Sequence, residues 1–134
     1  MDARDFITVG LSAERLLTVR QDLTVQHVVP TMPAVYGTPF MILEMELTSG
    51  DAIATVLPEG WVTVGTMVDI RHLAATPVGR VVRTTATVIE VKAKFITFEV
   101  AAFDGARKIG DGRHGRGLIN VAEFETRFGT DGAT

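Results

Sequence analysis

Cysteine is absent from the 134 residues of this chain. Disulfide bonds, thiolate metal sites and a cysteine nucleophile are therefore excluded. Charge is nearly balanced, with 13 lysines and arginines against 16 aspartates and glutamates, so nothing favours binding to nucleic acid or to a membrane surface. No apolar run approaches the roughly 20 residues of a membrane-spanning helix, and the first residues lack the apolar stretch of a signal peptide. These absences favour a cytoplasmic protein.

Apolar side chains are plentiful: they make up 46% of the residues, against 22% for charged ones. This composition is typical of a globular protein, and the length is sufficient for one domain with a substantial core. No repeat or linker divides the sequence, so we predict a single domain over residues 1–134, with about 1–16 and 129–134 loosely ordered. The three histidines are not spaced with carboxylates as metal ligands are, so we expect neither a metal nor another cofactor.

A long apolar helix is predicted from residue 38 to about residue 57. Thr38 is a good N-cap residue, and Pro39 suits the first helical position. Apolar residues lie on nearly every side of this helix, which is typical of a helix buried all round. Glu46 lies two turns into the helix, where an unpaired charge is unfavourable, so it is a candidate functional residue.

Alternating apolar and polar residues predict one strand before this helix and four strands after it. A single twisted antiparallel sheet curled around the helix fits both patterns, and its free surfaces favour a second copy of the chain. We therefore predict an α+β fold with one central helix and about five strands, assembled as a homodimer, with a tetramer left open. The predicted strands cover residues 17–25, 61–72, 80–91, 95–103 and 108–121, and a short helix covers 123–128.

Two short motifs carry a resemblance to a known family. Residues 65–79, GTMVDIRHLAATPVG, resemble the second strand of hot-dog acyl-CoA thioesterases. Residues 109–116, IGDGRHGR, resemble the last strand of the fluoroacetyl-CoA thioesterase-like group, and the similarity covers roughly residues 19–128. The resemblance implies the hot-dog fold and hydrolysis of a small or medium acyl-CoA to a free acid and CoA. It does not specify the acyl group, because Tyr36 is the only aromatic residue in the loop over residues 27–37.

The resemblance also implies a catalytic set, which falls here on Thr38, Glu46 and His72. His72 suits a general base because its unperturbed pKa lies near neutrality. Glu46 would orient His72 or activate water, and Thr38 would attack the carbonyl carbon or hold the water. The helix N-terminus offers its positive dipole end to the developing oxyanion, and Gly65 allows the substrate to approach the backbone closely.

The helix geometry restricts how these residues can cooperate. Eight residues separate Thr38 from Glu46, a rise of roughly 12 Å at 1.5 Å per residue. Side chains that far apart on one helix cannot share a hydrogen bond. We therefore predict a composite site at a dimer interface, in which Thr38 and Glu46 come from different subunits related by a two-fold axis.

Other residues are candidates for contact with the substrate. The basic end of the last predicted strand either binds CoA phosphates, which arginine suits through its paired donors, or is simply a solvated strand end. The candidate substrate-binding residues are Gly65, Tyr36, Phe40, Thr76, Arg113, His114 and Arg116.

Each catalytic candidate also has a purely structural explanation. Thr38 alone would be an N-cap, Glu46 would pair with a structural arginine, and His72 would be a core residue. A different function also fits the predicted fold, namely a non-catalytic module that binds acyl-CoA or a small acid. A hot-dog hydratase is a weaker alternative, because the histidine-containing helix motif of hydratases is not visible in this sequence.

Overall fold

The computed structural model describes residues 1–129, which form one five-stranded antiparallel sheet with a long helix packed on it. The helix is α2 (Thr38–Ile53), and two shorter helices are α1 (Val25–Val28) and α3 (Val121–Phe128). The prediction of an α+β fold with one central helix and five strands is confirmed. The strands are β1 (Ser12–Thr18), β2 (Trp61–His72), β3 (Val81–Val91), β4 (Phe95–Asp104) and β5 (Arg107–Asn120), and their order across the sheet is β1-β3-β4-β5-β2.

The core lies between α2 and the inner faces of β3 and β4. Alternate residues of these two strands are fully buried, as the period of two in a strand requires. Met41 and Met45 lie one turn apart on α2 and pack into the same core. Within the described residues, no helix is both long and apolar enough to cross a membrane. The fully buried side chains of the two strands include Val82, Ala86, Val88, Ile96 and Phe98.

Helix α2 differs from its prediction at its end and in its burial. It ends at Ile53 rather than near residue 57, because the next turns tighten to hydrogen bonds that span three residues. Leu43 and Leu47 are 49% and 41% exposed, since the sheet covers one side of the helix instead of curling around it. The prediction of a helix buried on all sides is therefore wrong for a single chain.

The first strand lies earlier in the chain than predicted. β1 spans Ser12–Thr18, and a 3-10 turn over Gln21–Leu23 interrupts the alternating pattern that favoured a strand at 17–25. Thr24 then caps α1 instead of continuing a strand. Ala3 and Ile7 are buried in the core, so residues 1–16 contribute a strand and core side chains, contrary to the loose order predicted for them. The predicted loose order of residues 130–134 lies outside the described part of the chain.

Strand β2 forms one edge of the sheet and carries two of the candidate site residues, Gly65 and His72. It pairs with β5 from Trp61 to His72, and a β-bulge at Thr66 interrupts the register. Strict alternation would put Gly65 and His72 on opposite faces, but the extra residue in the bulge puts both on the inner face, toward α2. The other edge of β2 has no partner strand within residues 1–129. Exposed apolar side chains lie along this strand: Val62, Val64, Met67 and Val68.

Candidate active site

Thr38 lies at the start of α2 with its hydroxyl directed away from the helix. Gly37 is the N-cap residue, Thr38 is the first helical residue, and no side chain caps this end. The Thr38 hydroxyl Oγ1 instead lies 2.7 Å from Nδ1 of His72, at the end of β2. The prediction that Thr38 is the N-cap is therefore wrong, because the preceding glycine takes that position and leaves the hydroxyl available to the histidine.

The two ring nitrogens of His72 differ in their hydrogen bonding, since only Nδ1 contacts Thr38. Its Nε2 is buried and has no hydrogen-bond partner among the described residues. Burial lowers the pKa of His72 below its ordinary value of 6.5, which favours the neutral ring that a base requires. When Nδ1–H donates to Thr38 Oγ1, Nε2 carries the lone pair of a base; in the other tautomer, Nδ1 accepts from the Thr38 hydroxyl. Only the second tautomer lets His72 take the proton of the Thr38 hydroxyl, whereas in the first tautomer Nε2 is the nitrogen that can take a proton from water.

Glu46 lies in the middle of α2, opposite the inner face of β2. A Cβ atom added to Gly65 would lie 3.5 Å from Glu46 Oε1 and 3.3 Å from Cε1 of His114, so the glycine makes room for both side chains. Within residues 1–129, Glu46 has no ion-pair partner within 4.0 Å, although the sequence also allowed pairing with a structural arginine. Arg15, the arginine near this helix, pairs with Glu44 and Asp51 instead.

His114 and Arg116 form a hydrogen-bonded unit beside Glu46, on the inner face of β5. The Nδ1–H of His114 donates to the Met67 carbonyl at 2.8 Å, which leaves Nε2 to accept from Arg116 at 3.1 Å. Arg116 also donates to the hydroxyl and the carbonyl oxygen of Thr63, at 2.8 and 2.7 Å. Burial is the main factor that lowers the pKa of His114 and that of Arg116, and the carboxylate of Glu46 opposes this effect at both residues.

The sequence predicted only some members of this hydrogen-bonded unit. His114 is 1% exposed, so the interpretation of this segment as a solvated strand end is wrong for His114. Arg113 is exposed on the outer face of β5, next to Glu99 in the strand register, and is not brought together with His114 and Arg116. Thr63, which anchors Arg116, was not a candidate; its spacing of two from Gly65 was the signal that could have found it.

Tyr36, Phe40 and Thr76 lie near the start of α2. The Tyr36 hydroxyl is buried and donates to the Phe40 carbonyl at 3.3 Å, and burial raises the pKa of Tyr36 well above its ordinary value. The Tyr36 N–H donates to the Thr76 carbonyl at 2.8 Å, which joins this loop to the turn after β2. The Thr76 hydroxyl is buried without a partner in the described structure. These three residues connect the loop before α2 to the helix N-terminus and to the turn after β2, beside Thr38.

The candidate residues thus form two groups in one chain. Thr38 and His72 are hydrogen-bonded at one end of β2, and Glu46 lies near Gly65, seven residues earlier on that strand. Because one residue between them lies in the bulge, Gly65 and His72 are six pairing positions apart, roughly 20 Å along the strand at 3.3 Å per residue. No hydrogen bond joins Glu46 to Thr38 or His72 in the described residues, which also contain no cluster of three histidine or acidic side chains that could hold a metal ion. The first group contains a hydroxyl and a histidine but no carboxylate, and the second contains the carboxylate of Glu46.

Comparison with known proteins identifies a matching family, a similar sequence and similar structures. The family model described as fluoroacetyl-CoA-specific thioesterase matches residues 19–122. The fluoroacetyl-CoA thioesterase of Streptantibioticus cattleyicolor is 32% identical over 130 residues, covering 92% of this chain and 94% of that protein. A solved structure of the fluoroacetyl-CoA thioesterase aligns with a TM-score of 0.83 at 32% identity, covering 90% of this chain and 94% of that one.

Two further structures extend the similarity. A thioesterase superfamily member from Thermus thermophilus aligns with a TM-score of 0.84 at 30% identity, covering 91% of this chain and 90% of the other. A hot-dog-like protein from Thermanaerovibrio acidaminovorans has a TM-score of 0.87 at 24% identity, covering 95% and 94% of the two chains. The second similarity concerns the fold alone and confirms the predicted hot-dog architecture.

Proposed function

The chain belongs to the fluoroacetyl-CoA-specific thioesterase family and is an acyl-CoA thioesterase, and we propose that two subunits together build its active site. Thr38 and His72 of one subunit would meet Glu46 of the other across the β2 edge. The site would hydrolyse the thioester of a small or medium acyl-CoA. The observation that carries this proposal is the 2.7 Å contact between Thr38 Oγ1 and His72 Nδ1, which supplies a hydroxyl and a base but no carboxylate.

The chemistry follows from this pair. His72 takes a proton either from the Thr38 hydroxyl, which then attacks the thioester carbon, or from a water molecule held by Thr38. The tetrahedral intermediate collapses with release of the CoA thiolate, which takes from His72 the proton that the nucleophile gave up. In the threonine route a water molecule then hydrolyses the acyl-threonine ester. Glu46 would stabilise the positive charge that His72 gains, or orient the attacking water.

The start of α2 offers one backbone donor for the oxyanion. Pro39 has no N–H, and the N–H groups of Phe40 and Met41 both donate to the Gly37 carbonyl at 3.1 Å. The Thr38 N–H has no acceptor within the described residues, so it is available to a ligand. A donor at a helix N-terminus suits the charge that develops on a thioester oxygen.

The free edge of β2 favours a second copy of the chain. A long exposed edge strand with apolar side chains tends to pair with another strand, and a two-fold axis makes that pairing antiparallel. A pairing offset that sets Gly65 of one subunit beside His72 of the other would bring Glu46 to the Thr38–His72 pair. Gly65 and Arg116 would then form the wall of the same pocket, and a homodimer would contain two such sites.

Relatives support a short acyl group. Solved structures of a fluoroacetyl-CoA thioesterase contain fluoroacetate, in one case together with CoA. In this chain the inner surface next to Glu46 is polar, because His114 and Arg116 lie there. A polar wall does not favour a long hydrocarbon chain. The family assignment also favours hydrolysis over the non-catalytic binding module.

Mixed dimers test the composite site. Subunits carrying Thr38→Ala and Glu46→Ala would be given different tags, co-expressed and purified as the mixed species. Each mutant homodimer should be almost inactive in thiol release from acetyl-CoA and fluoroacetyl-CoA, whereas the mixed dimer should regain one intact site and about half of the wild-type kcat.

The matched control is a mixed dimer of wild type with the double variant Thr38→Ala/Glu46→Ala. A composite site predicts almost no activity for this control, because each of its sites lacks one of the two residues. A site contained in one chain predicts the reverse: half activity for the control and none for the dimer of single variants. That reverse result would overturn the proposal.

A further inference from the structure

A groove between α3 and the start of β2 lies outside the residues assigned above. Its volume is about 550 Å³, within the range of roughly 300–1,000 Å³ that small-molecule pockets span. It combines a mostly apolar and aromatic lining with two basic side chains and one acidic side chain, Glu123. The apolar part includes Trp61, Leu118, Phe124 and Phe128, and the basic side chains are Lys94 and Arg127.

The two basic side chains are available to an anion. Among residues 1–129, neither Lys94 nor Arg127 has a carboxylate within 4.0 Å. The Arg127 guanidinium carbon lies 5.7 Å from the ring centre of Phe128, so the charge and the aromatic surface are adjacent. A ligand with a flat aromatic ring and several phosphate charges matches both features. Glu123 is the one feature that opposes such a ligand.

The groove lies a short distance along the sheet from the Glu46 side of the proposed active site. In the pairing of β2 with β5, Arg116 lies opposite Gly65, and the next inward-facing residue of β5, Leu118, already lines the groove. Trp61 lies four residues before Gly65, roughly 13 Å along the strand at 3.3 Å per residue. The extended pantetheine arm of CoA is longer than this separation, so a thioester near Gly65 can place its nucleotide at Trp61.

We propose that this groove binds the nucleotide end of the CoA ester. The adenine ring would contact the aromatic surface that includes Trp61 and Phe124, and the phosphates would pair with Lys94 and Arg127. This inference rests on the proposed function, since it assigns the second half of the same substrate. Two regions of a subunit would then bind different parts of the substrate. The groove would bind the nucleotide of CoA, and the site beyond Arg116 would bind the acyl group.

A direct binding test uses Trp61, which is the only tryptophan of the chain. CoA and adenosine 3′,5′-bisphosphate should both change its fluorescence, whereas pantetheine, which has no nucleotide, should not. Lys94→Gln and Arg127→Gln should each weaken binding of the bisphosphate about threefold, and Glu123→Gln should tighten it by about twofold. Lys92→Gln is the matched control, because Lys92 is a nearby lysine that pairs with Glu90 at 3.8 Å and does not line the groove.

Kinetics then separate the nucleotide from the rest of the substrate. Lys94→Gln and Arg127→Gln should raise KM for acetyl-CoA about threefold each at unchanged kcat, and leave KM for acetyl-pantetheine unchanged. Equal changes for the two substrates, or no change together with no fluorescence response to the bisphosphate, would overturn the groove assignment. A wild-type protein that binds the bisphosphate but releases no thiol would contradict the proposed hydrolysis and leave the groove assignment standing.

Discussion

The Thr38–His72 pair and the cluster of Glu46, His114 and Arg116 differ in how their hydrogen-bonding capacity is used. In the pair, a single contact joins two side chains, and His72 Nε2 has no partner among the described residues. In the cluster, both nitrogens of His114 are engaged, and Arg116 makes two further bonds to Thr63.

This difference separates a reactive group from a supporting one. A neutral histidine with a spare nitrogen can accept a proton during a reaction, whereas a histidine with both nitrogens occupied can only hold its neighbours in place. In the proposed site, His114 would therefore act through Arg116 as a positioning residue. In the proposed site, the cluster would contribute a carboxylate that has no ion-pair partner among residues 1–129, and the pair would contribute the hydroxyl and the base.

The largest expected effect comes from removing the base. His72→Gln should lower kcat about 10³-fold, because the proton acceptor is lost while the shape of the side chain is roughly kept. The free energy of unfolding should change by less than about 1 kcal/mol, since His72 makes one side-chain hydrogen bond among residues 1–129. The measurements are thiol release from acetyl-CoA and urea denaturation.

His27→Gln is the control for this experiment, because His27 lies on α1 and takes no part in either group. Its activity and stability should equal those of the wild type. If His72→Gln kept a tenth or more of the wild-type kcat, His72 would not be the base, and the pair would be a structural contact at the helix mouth.

The next effect is on stability and distinguishes the cluster from the pair. His114→Ala should lower the free energy of unfolding by about 2–4 kcal/mol, because it opens a cavity and leaves the Met67 carbonyl and Arg116 without their shared partner. Urea denaturation measures the loss. His114→Gln should recover part of it, since its amide can donate to the same carbonyl. Equal stability of wild type and His114→Ala would contradict a supporting role.

The sequence predicted the parts of this molecule that depend on periodicity and on short-range chemistry. The four strands after the helix lie within a few residues of their predicted positions, because they are long runs with a period of two, and three of the four connections that precede them contain glycine or proline. The contact between Thr38 and His72 agrees with the resemblance that grouped them. The first strand was misplaced because alternation continues past Val19 into a segment that the Thr24 cap turns into helix.

The cluster was harder to predict because it depends on pairing between distant segments. Strict alternation put Gly65 and His72 on opposite faces, and only the bulge at Thr66, which is fixed by pairing with β5, reverses this. The contact of Arg116 with Thr63 spans 53 residues and follows from the same register. Local patterns do not contain strand register, so the cluster became visible only in the folded chain.

The smallest expected effect is on pH dependence. Burial lowers the pKa of both His72 and His114 below 6.5, the ordinary value that they regain on unfolding. As pH falls below about 6.5, the unfolded chain therefore binds protons before the folded one does, and the free energy of unfolding decreases toward the folded pKa values. Well above pH 6.5 both states are neutral at these sites, so these histidines add no pH dependence there. Urea denaturation at pH 7.5 and pH 5.5 should show the loss.

The same titrations separate the two histidines functionally. The acid limb of kcat/KM should belong to His72, because only its neutral ring accepts a proton; burial lowers the pKa of His72, and Glu46 of the partner subunit beside the ring would oppose that shift. His114→Gln removes a titrating ring from the cluster, so it should weaken the pH dependence of stability but leave this acid limb in place. If the limb moved with His114→Gln, the base would be coupled to the cluster, and the division between a reactive pair and a supporting cluster would fail.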